Sequence, residues 1–98
     1  MNSSSALALA PLHITDTSEL GRLIRQRRRE QSLRIDDAAS LSGVSVDLLS
    51  RLENGKGSVR LDKLLTVLDG LGLAMVIGPK EHPQMPSRGP ATTESKQP

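Results

Sequence analysis

Apolar residues recur along the middle of the chain at intervals of three and four residues, the spacing that lines one face of a helix. The pattern predicts a first helix from about Thr17 to Gln31, a second from about Ile35 to Leu41, a third over Ser45–Glu53 and a fourth that begins near Leu61. We expect the leucines of the fourth helix to lie in the core. The next segment, Leu73–Ile77, is short and apolar on both alternating faces, which predicts a β-strand. An exposed apolar strand needs a partner, so we expect it to pair with the same segment of a second subunit.

The residues between these segments are of the types that begin and end helices. Asp16 is a suitable N-cap for the first helix, with Glu19 three residues later. Gly43 permits the left-handed backbone that ends the second helix in a tight turn, and Ser45 is a suitable N-cap for the third. Asn54-Gly55 is a strong signal for the end of the third helix.

Length and composition limit the domain organisation. The chain has 98 residues, which suits one small domain with tails. We predict a flexible leader over residues 1–15, a helical domain with its terminal strand over 16–78, and a disordered Pro-rich tail over 79–98. The leader has a short apolar patch with no basic segment before it, which is not typical of a secretion signal, so we expect a cytoplasmic protein.

The composition also excludes several kinds of chemistry. The sequence has no Cys, which excludes disulfides, thiolate metal sites and thiol nucleophiles. His13 and His82 lie far apart in sequence, and we predict neither a metal site nor a cofactor. The adjacent carboxylates of Asp36 and Asp37 suit the first turn of a helix better than acid–base chemistry, so we do not expect an enzyme. The core has no aromatic residue, so a monomer is expected to be marginally stable and a homodimer favoured.

Residues 33–56 have the pattern that points most directly to a function. They predict two short helices joined by a tight turn, with a small residue at Ala39, a permissive backbone at Gly43 and core anchors at Leu49 and Leu52. Such a helix-turn-helix has few uses, and the main one is to read duplex DNA.

In a helix-turn-helix the second helix of the pair lies in the major groove. Arg51 can make a bidentate contact with guanine, Asp47 can accept a hydrogen bond from a cytosine amino group, and Val46 can touch a thymine methyl group. Ser45 and Ser50 complete the predicted base-reading set. Phosphate contacts need cations and backbone amides, and the residues predicted to supply them are Arg28, Arg34, Asn54, Gly55 and Lys56.

Each of these residues also has a simpler interpretation, and the sequence leaves both open. Arg51 can pair with Asp47 across one helical turn, Ser45 can act only as a cap, and Asn54-Gly55 can serve only as a turn. Six arginines lie between residues 22 and 34, although the net charge of the chain is only +2. Beside a helix-turn-helix we favour phosphate contacts for this arginine run, but it can equally be a solvated helix face.

Residues 20–72 resemble the Cro/repressor-type, or Xre-type, helix-turn-helix family. The resemblance follows LGRLIRQRRREQSL, AASLSGVS, LLSRLENGK and LDKLLTVLDGLGL, and its most specific parts are Asn54-Gly55-Lys56 and the leucine repeat of the fourth helix. It implies an all-α, λ-repressor-like fold of four helices with one short C-terminal β-strand. The chain departs from the family at Arg34-Ile35, where a Thr-Gln pair is usual, and at Val59-Arg60, where a Pro-Ser pair is usual.

The C-terminal sequence LGLAMVIGPK is similar to that of the HipB-type antitoxin branch. This resemblance implies that the strands of two subunits pair, with Leu73, Met75, Val76 and Ile77 at the contact. It further implies a repressor of its own type II toxin–antitoxin operon that binds an inverted-repeat operator and a HipA-like serine/threonine kinase toxin. The alternative hypothesis is a toxin-neutralising or scaffold module with weak or no DNA binding, which the acidic Asp47 and the missing Gln favour.

Overall fold

The computed structural model describes residues 11–83 and Met85. The four helices of the described residues lie in one compact unit, Thr15–Val76. In chain order they are α1 (Thr17–Glu30), α2 (Ile35–Ser42), α3 (Val46–Glu53) and α4 (Leu61–Gly70). The predicted helices are confirmed, with ends that differ by about one residue. Most of the predicted leader and tail lies outside the described residues.

The predicted helix caps are present in the structure. The Asp16 carboxylate accepts a hydrogen bond from the backbone N–H of Glu19 at 2.8 Å, and the Ser45 hydroxyl accepts one from Leu48 N–H at 3.0 Å. Gly43 ends α2 in the left-handed conformation, with φ of 72°. These contacts fix where α1 and α3 begin, and hence which side chains of α3 lie on each of its faces.

The core is aliphatic. Four side chains are completely buried, namely Ile24, Leu49, Val67 and Leu71, and the cluster is completed by Ala38, Ala39, Leu52 and Leu68. The helices that pack together are α1 with α3, α2 with α3, and α2 with α4.

One prediction about the core is wrong. We expected every leucine of the fourth helix to be buried, but Leu61 is 63% exposed and Leu65 is 46% exposed. The buried face of α4 follows the spacing of Leu64, Val67 and Leu68, and the other helices do not cover the side where Leu61 and Leu65 lie.

Two glycines allow very close contacts between helices. A Cβ atom on Gly21 of α1 would lie 2.5 Å from the carbonyl oxygen of Leu52 and 2.6 Å from that of Glu53. A Cβ atom on Gly70 of α4 would lie 2.6 Å from the hydroxyl of Ser42. Both glycines are therefore required by packing rather than by an unusual backbone conformation.

The predicted strand is not formed within the single chain, and the described residues contain no strand. Met75, Val76 and Ile77 are 44%, 67% and 85% exposed, respectively. A strand needs a neighbouring strand to complete its hydrogen bonds, and the described part of this chain offers none. Pairing between two subunits therefore stays a prediction.

Candidate nucleic-acid interface

Helix α3 has two chemically different faces. Leu49, Leu52 and Glu53 are buried against the rest of the domain. On the opposite side, Val46 is 44% exposed and the side chain of Asp47 is 84% exposed. Of the residues predicted from sequence to read bases, three are exposed to solvent, namely Ser45, Val46 and Asp47. The other two, Ser50 and Arg51, are half-buried.

Arg51 and Asp47 form the ion pair that was the simpler interpretation of their spacing. The distance from Arg51 Nε to Asp47 Oδ2 is 3.3 Å, and Arg51 Nη1 also donates a hydrogen bond to the carbonyl of Ser58 at 3.2 Å. An exposed pair of this kind stabilises a protein by only about 0–1 kcal/mol. It can therefore be exchanged for a contact with a base at little cost, and the two interpretations are compatible.

The turn after α3 is held firmly against α1. Gly55 has φ of 66°, a conformation that favours glycine. Its carbonyl accepts a hydrogen bond from the Thr17 hydroxyl at 3.3 Å, and Asn54 Nδ2 donates to the carbonyl of Ser50 at 2.8 Å. Lys56 follows with an exposed side chain, so a cation projects from a well-positioned turn.

Arg28 lies in the contact between α1 and α3. Its guanidinium forms a bidentate ion pair with Glu53, with Nε–Oε2 at 2.6 Å and Nη2–Oε1 at 2.9 Å, and Nη1 donates to the carbonyl of Leu33 at 2.9 Å. Both side chains are largely buried, at 13% exposure for Arg28 and 4% for Glu53. The hydrogen bonds to the Glu53 carboxylate raise the pKa of Arg28. Arg28 therefore stabilises the α1–α3 contact, and its predicted phosphate contact stays a prediction.

Sequence reasoning did not identify Glu53 as the partner of Arg28. A signal was present, because Glu53 lies four residues after Leu49 and so shares the buried face of α3. A buried carboxylate requires a cation or several hydrogen bonds, and the arginine run of residues 22–34 offers six candidate cations.

The remaining arginines are divided between the interior and the surface. Arg27 Nε donates a hydrogen bond to the carbonyl of Leu71 at 2.9 Å, which satisfies the backbone at the end of α4. Arg34 precedes α2 with its side chain 79% exposed and 3.4 Å from Asp36 Oδ2. Arg34 is thus open to solvent at the N-terminus of a helix, as a phosphate contact requires.

Residues 11–83 and 85 contain no group of three or more His, Asp or Glu side chains placed to hold a metal ion. Among the same residues, no helix has both the length and the apolar character needed to cross a membrane.

The fold and the two faces of α3 define a helix-turn-helix protein, in which two short helices meet at the left-handed turn of Gly43. The helix-turn-helix domain family matches residues 19–75, which is more than half of the chain. The chain belongs to this family, in its Xre-type form, and the resemblance found in the sequence is confirmed.

Similar proteins are known in sequence and in structure. The uncharacterized HTH-type transcriptional regulator y4mF of Sinorhizobium fredii is 36% identical over 70 residues, which cover 70% of this chain and 92% of y4mF. An HTH_3 family transcriptional regulator from Vibrio cholerae is 28% identical with a TM-score of 0.55, over 59% of this chain and 33% of the regulator. The chain therefore spans about a third of the Vibrio protein.

A chain of the HipA–HipB–O2–O3 complex has a TM-score of 0.66, with 72% of this chain and 100% of that chain covered. Its sequence is only 18% identical, so this likeness concerns the fold alone.

Proposed function

We propose that the protein is a homodimeric, sequence-specific DNA-binding transcriptional repressor that reads an inverted-repeat operator with α3. The observation that supports this proposal most is the outward face of α3, where Val46, Asp47 and Arg51 are exposed beside a capped N-terminus. This is the part of a helix-turn-helix that contacts base edges in the major groove.

The phosphate contacts are proposed for two positions near the ends of the helix-turn-helix. Arg34 is exposed at the start of α2, and Lys56 is exposed in the turn after α3. Both side chains are exposed enough to reach a phosphate oxygen, which for Arg34 would replace its contact with Asp36. Asn54 and Gly55 hold the turn in the conformation that presents Lys56. Such contacts would set the position of α3 on the duplex without reading its sequence.

The dimer is proposed because apolar side chains remain exposed after α4. Met75 and Val76 are open to solvent, and Leu73 is partly buried against the core. Pairing of this segment between two subunits, continued by Ile77, would cover these side chains and complete the backbone hydrogen bonds of both strands. Two-fold symmetry would then place the α3 helices about one turn of DNA apart.

Selection from a random-sequence duplex library with the full chain tests the proposal. We expect enrichment of an inverted repeat, with half-sites separated by about 10 base pairs or a multiple of this distance. Arg51→Ala should then reduce the preference for the selected duplex over an unrelated one by about 1–3 kcal/mol. Lys56→Gln is the matched comparison, because loss of a phosphate contact should weaken binding to both duplexes equally. The absence of any enrichment, or unchanged discrimination by the Arg51 variant, would refute this function.

A role as an antitoxin is a second candidate function. The observation that favours a protein partner is the pair of exposed leucines on one side of α4, Leu61 and Leu65. Leu61→Asp/Leu65→Asp should prevent co-purification with a kinase-like product of the adjacent gene, whereas Thr66→Asp, an exposed position on the same helix, should not. Normal co-purification by the leucine variant would contradict this use of α4.

A further inference from the structure

The structure separates the arginine run into two sets with opposite surroundings. Arg27 and Arg28 point inward and are bonded to Leu71 and Glu53. Three other arginines of α1 are exposed, follow a spacing of three and four residues, and lie on the side of the helix away from the buried Ile24. We call them the α1 arginine row: Arg22, Arg25 and Arg29. None of the three makes a hydrogen bond or a salt bridge within the described part of the chain.

The acidic residues of α1 do not neutralise this row through direct contacts. Glu19 accepts hydrogen bonds from the backbone and side chain of Thr15, at 2.7 and 3.0 Å. Glu30 accepts a hydrogen bond from Gln26 at 3.2 Å and lies 3.9 Å from Arg27 Nη1. The guanidinium groups of the α1 arginine row are therefore available to an anion from outside the chain.

The chemistry of this face favours a phosphate backbone over a protein as the anionic partner. The exposed neighbours of the row on α1 are Ser18, Gln26 and Glu30, and none of them is apolar. The centre of a stable protein–protein contact is enriched in apolar and aromatic side chains, whereas contacts with DNA are polar and strongly cationic. The large exposed apolar residues of the domain lie on other segments, at Leu41, Val46, Leu61, Leu65, Met75 and Val76.

The row is also continuous with the turn proposed to bind phosphate. Ser18 lies one helical turn before Arg22 on the same face of α1. A Cβ atom on Gly55 would lie 2.9 Å from Ser18 Cα, and Thr17 donates its hydroxyl hydrogen bond to the carbonyl of Gly55. The row thus begins beside the Asn54–Lys56 turn and continues along α1 for about 10 Å, the rise of seven helical residues.

We infer that the α1 arginine row binds DNA phosphates next to those contacted by the Asn54–Lys56 turn. The length of the row corresponds to about three base-pair rises along one strand. This inference rests on the proposed function, because it assumes that α3 is placed on a duplex. It adds a second phosphate-binding surface that sequence reasoning did not separate from the rest of the arginine run.

The salt dependence of DNA binding tests the inference. The test compares the full chain with Arg22→Gln/Arg25→Gln/Arg29→Gln and with a charge-matched control, Lys63→Gln/Lys80→Gln/Lys96→Gln. Fluorescence anisotropy is measured on two duplexes of about 30 base pairs, roughly three helical turns, one selected from the random library and one of unrelated sequence. Thermal unfolding shows whether each variant keeps its fold.

The proposed dimer has two such rows, so the row variant lacks six arginines. Because each phosphate contact contributes about 0.9, we expect the slope of log K against log salt to become shallower by about 5.4 on both duplexes. Between 50 and 200 mM salt the wild type should then lose roughly 2,000-fold more affinity than the row variant. The control should keep a slope within about one unit of the wild type. Hydroxyl-radical footprinting should show loss of protection at backbone positions adjacent to the α3 contact.

Three outcomes can be distinguished. A shallower slope confined to the row variant supports the inference. If the wild type binds the selected duplex but the row variant has an unchanged slope and footprint, this inference alone is overturned. The row is then left as a contact for an acidic protein. A wild type that binds no duplex overturns the proposed function and this inference together.

Discussion

Helix α3 carries one arginine–carboxylate contact on each of its two faces, and the two contacts differ in almost every physical respect. On the inner face, Glu53 is bonded through both carboxylate oxygens to Arg28, with both side chains largely buried. On the outer face, Arg51 and Asp47 make one longer contact of 3.3 Å in solvent. The buried arginine–carboxylate contact therefore stabilises the fold, whereas the exposed one can be exchanged for another partner. The difference arises because removing one partner of a buried ion pair destabilises a protein far more than removing one partner of an exposed pair.

The comparison also explains how so short a helix can perform two tasks. Leu49, Leu52 and Glu53 fix the position and rotation of α3 against the domain. The outer residues then project at angles set by that fixed backbone, which is the arrangement required of side chains that read a base sequence. We expect substitutions on the inner face to change the free energy of unfolding, and substitutions on the outer face to change DNA binding alone.

The first prediction concerns the loss of the Arg28 side chain, which should have the largest effect on stability. Arg28→Ala leaves the buried Glu53 carboxylate without its cation and should reduce the free energy of unfolding by about 3–5 kcal/mol. Arg51→Ala, the matched change on the outer face, should alter it by less than about 0.5 kcal/mol. Urea denaturation followed by circular dichroism measures both.

A double replacement keeps the prediction testable if Arg28→Ala does not fold. Arg28→Met/Glu53→Leu removes both charges and should recover most of the lost stability, because a buried ion pair contributes little beyond an apolar pair of similar size. Equal effects of Arg28→Ala and Arg51→Ala would show that the two contacts do not differ as proposed.

The second prediction concerns the place where α1 meets the inner face of α3. Gly21→Ala would place a methyl group about 2.5 Å from the carbonyl oxygen of Leu52. This oxygen belongs to the backbone and cannot rotate away. We expect the midpoint of urea unfolding to fall by an amount that corresponds to about 1–3 kcal/mol. Arg25→Ala, on the outer side of the same helix, should change stability very little. A stable Gly21 variant would mean that α1 and α3 are further apart than the structure shows.

The sequence predicted the features that depend on neighbouring residues along the chain. The bounds of α3, its Ser45 cap and the separation of Val46 and Arg51 from Leu49 all follow from helical spacing and capping. The turn at Gly43 follows from the same local rules.

The features that were missed depend on contacts between distant parts of the chain. Arg28 and Glu53 are separated by 25 positions, and six arginines between residues 22 and 34 were candidates for any contact. Only the packing of α1 against α3 shows which arginine faces inward. The unexpected exposure of Leu61 and Leu65 has the same origin. Helical spacing predicts the apolar face of α4 but does not show how much of that face the other helices cover.

The third prediction is a gain of stability where α2 meets α4. The Ser42 hydroxyl is buried, and it has no hydrogen-bond partner in the described part of the chain. Ser42→Ala should therefore raise the free energy of unfolding by about 1 kcal/mol, because a buried polar group without a partner is unfavourable. Ser40→Ala, at an exposed position of the same helix, measures the contribution of helix propensity alone. A loss of stability at Ser42 beyond that control would show that the hydroxyl is satisfied.

The same substitution should change the response of Gly70. In a chain that keeps Ser42, Gly70→Ala would place a methyl group about 2.6 Å from the Ser42 hydroxyl. When the hydroxyl is absent, this contact is relieved, so Gly70→Ala should be less destabilising in the Ser42→Ala background than alone. A double-mutant cycle by thermal unfolding measures this coupling, and additive effects would contradict it.

The smallest expected effect lies at the solvent-exposed start of α1, remote from both faces of α3. Hydrogen bonds from the backbone N–H and the hydroxyl of Thr15 lower the pKa of Glu19. A carboxylate whose pKa is lowered by folding stabilises the folded state above its ordinary value of about 4.5, and this contribution is lost as the pH falls through the lower, folded value. The melting temperature of wild type should therefore exceed that of Glu19→Gln by a constant amount from pH 7 to about pH 5, and the difference should shrink at more acidic pH. Thr15→Val removes only the hydroxyl donor and should keep part of this pH dependence, because the bond from the backbone is the larger cause of the shift. If the difference in melting temperature between wild type and Glu19→Gln instead grew as the pH fell, the pH dependence would have the opposite sign. This result would refute the role of Glu19 in capping α1.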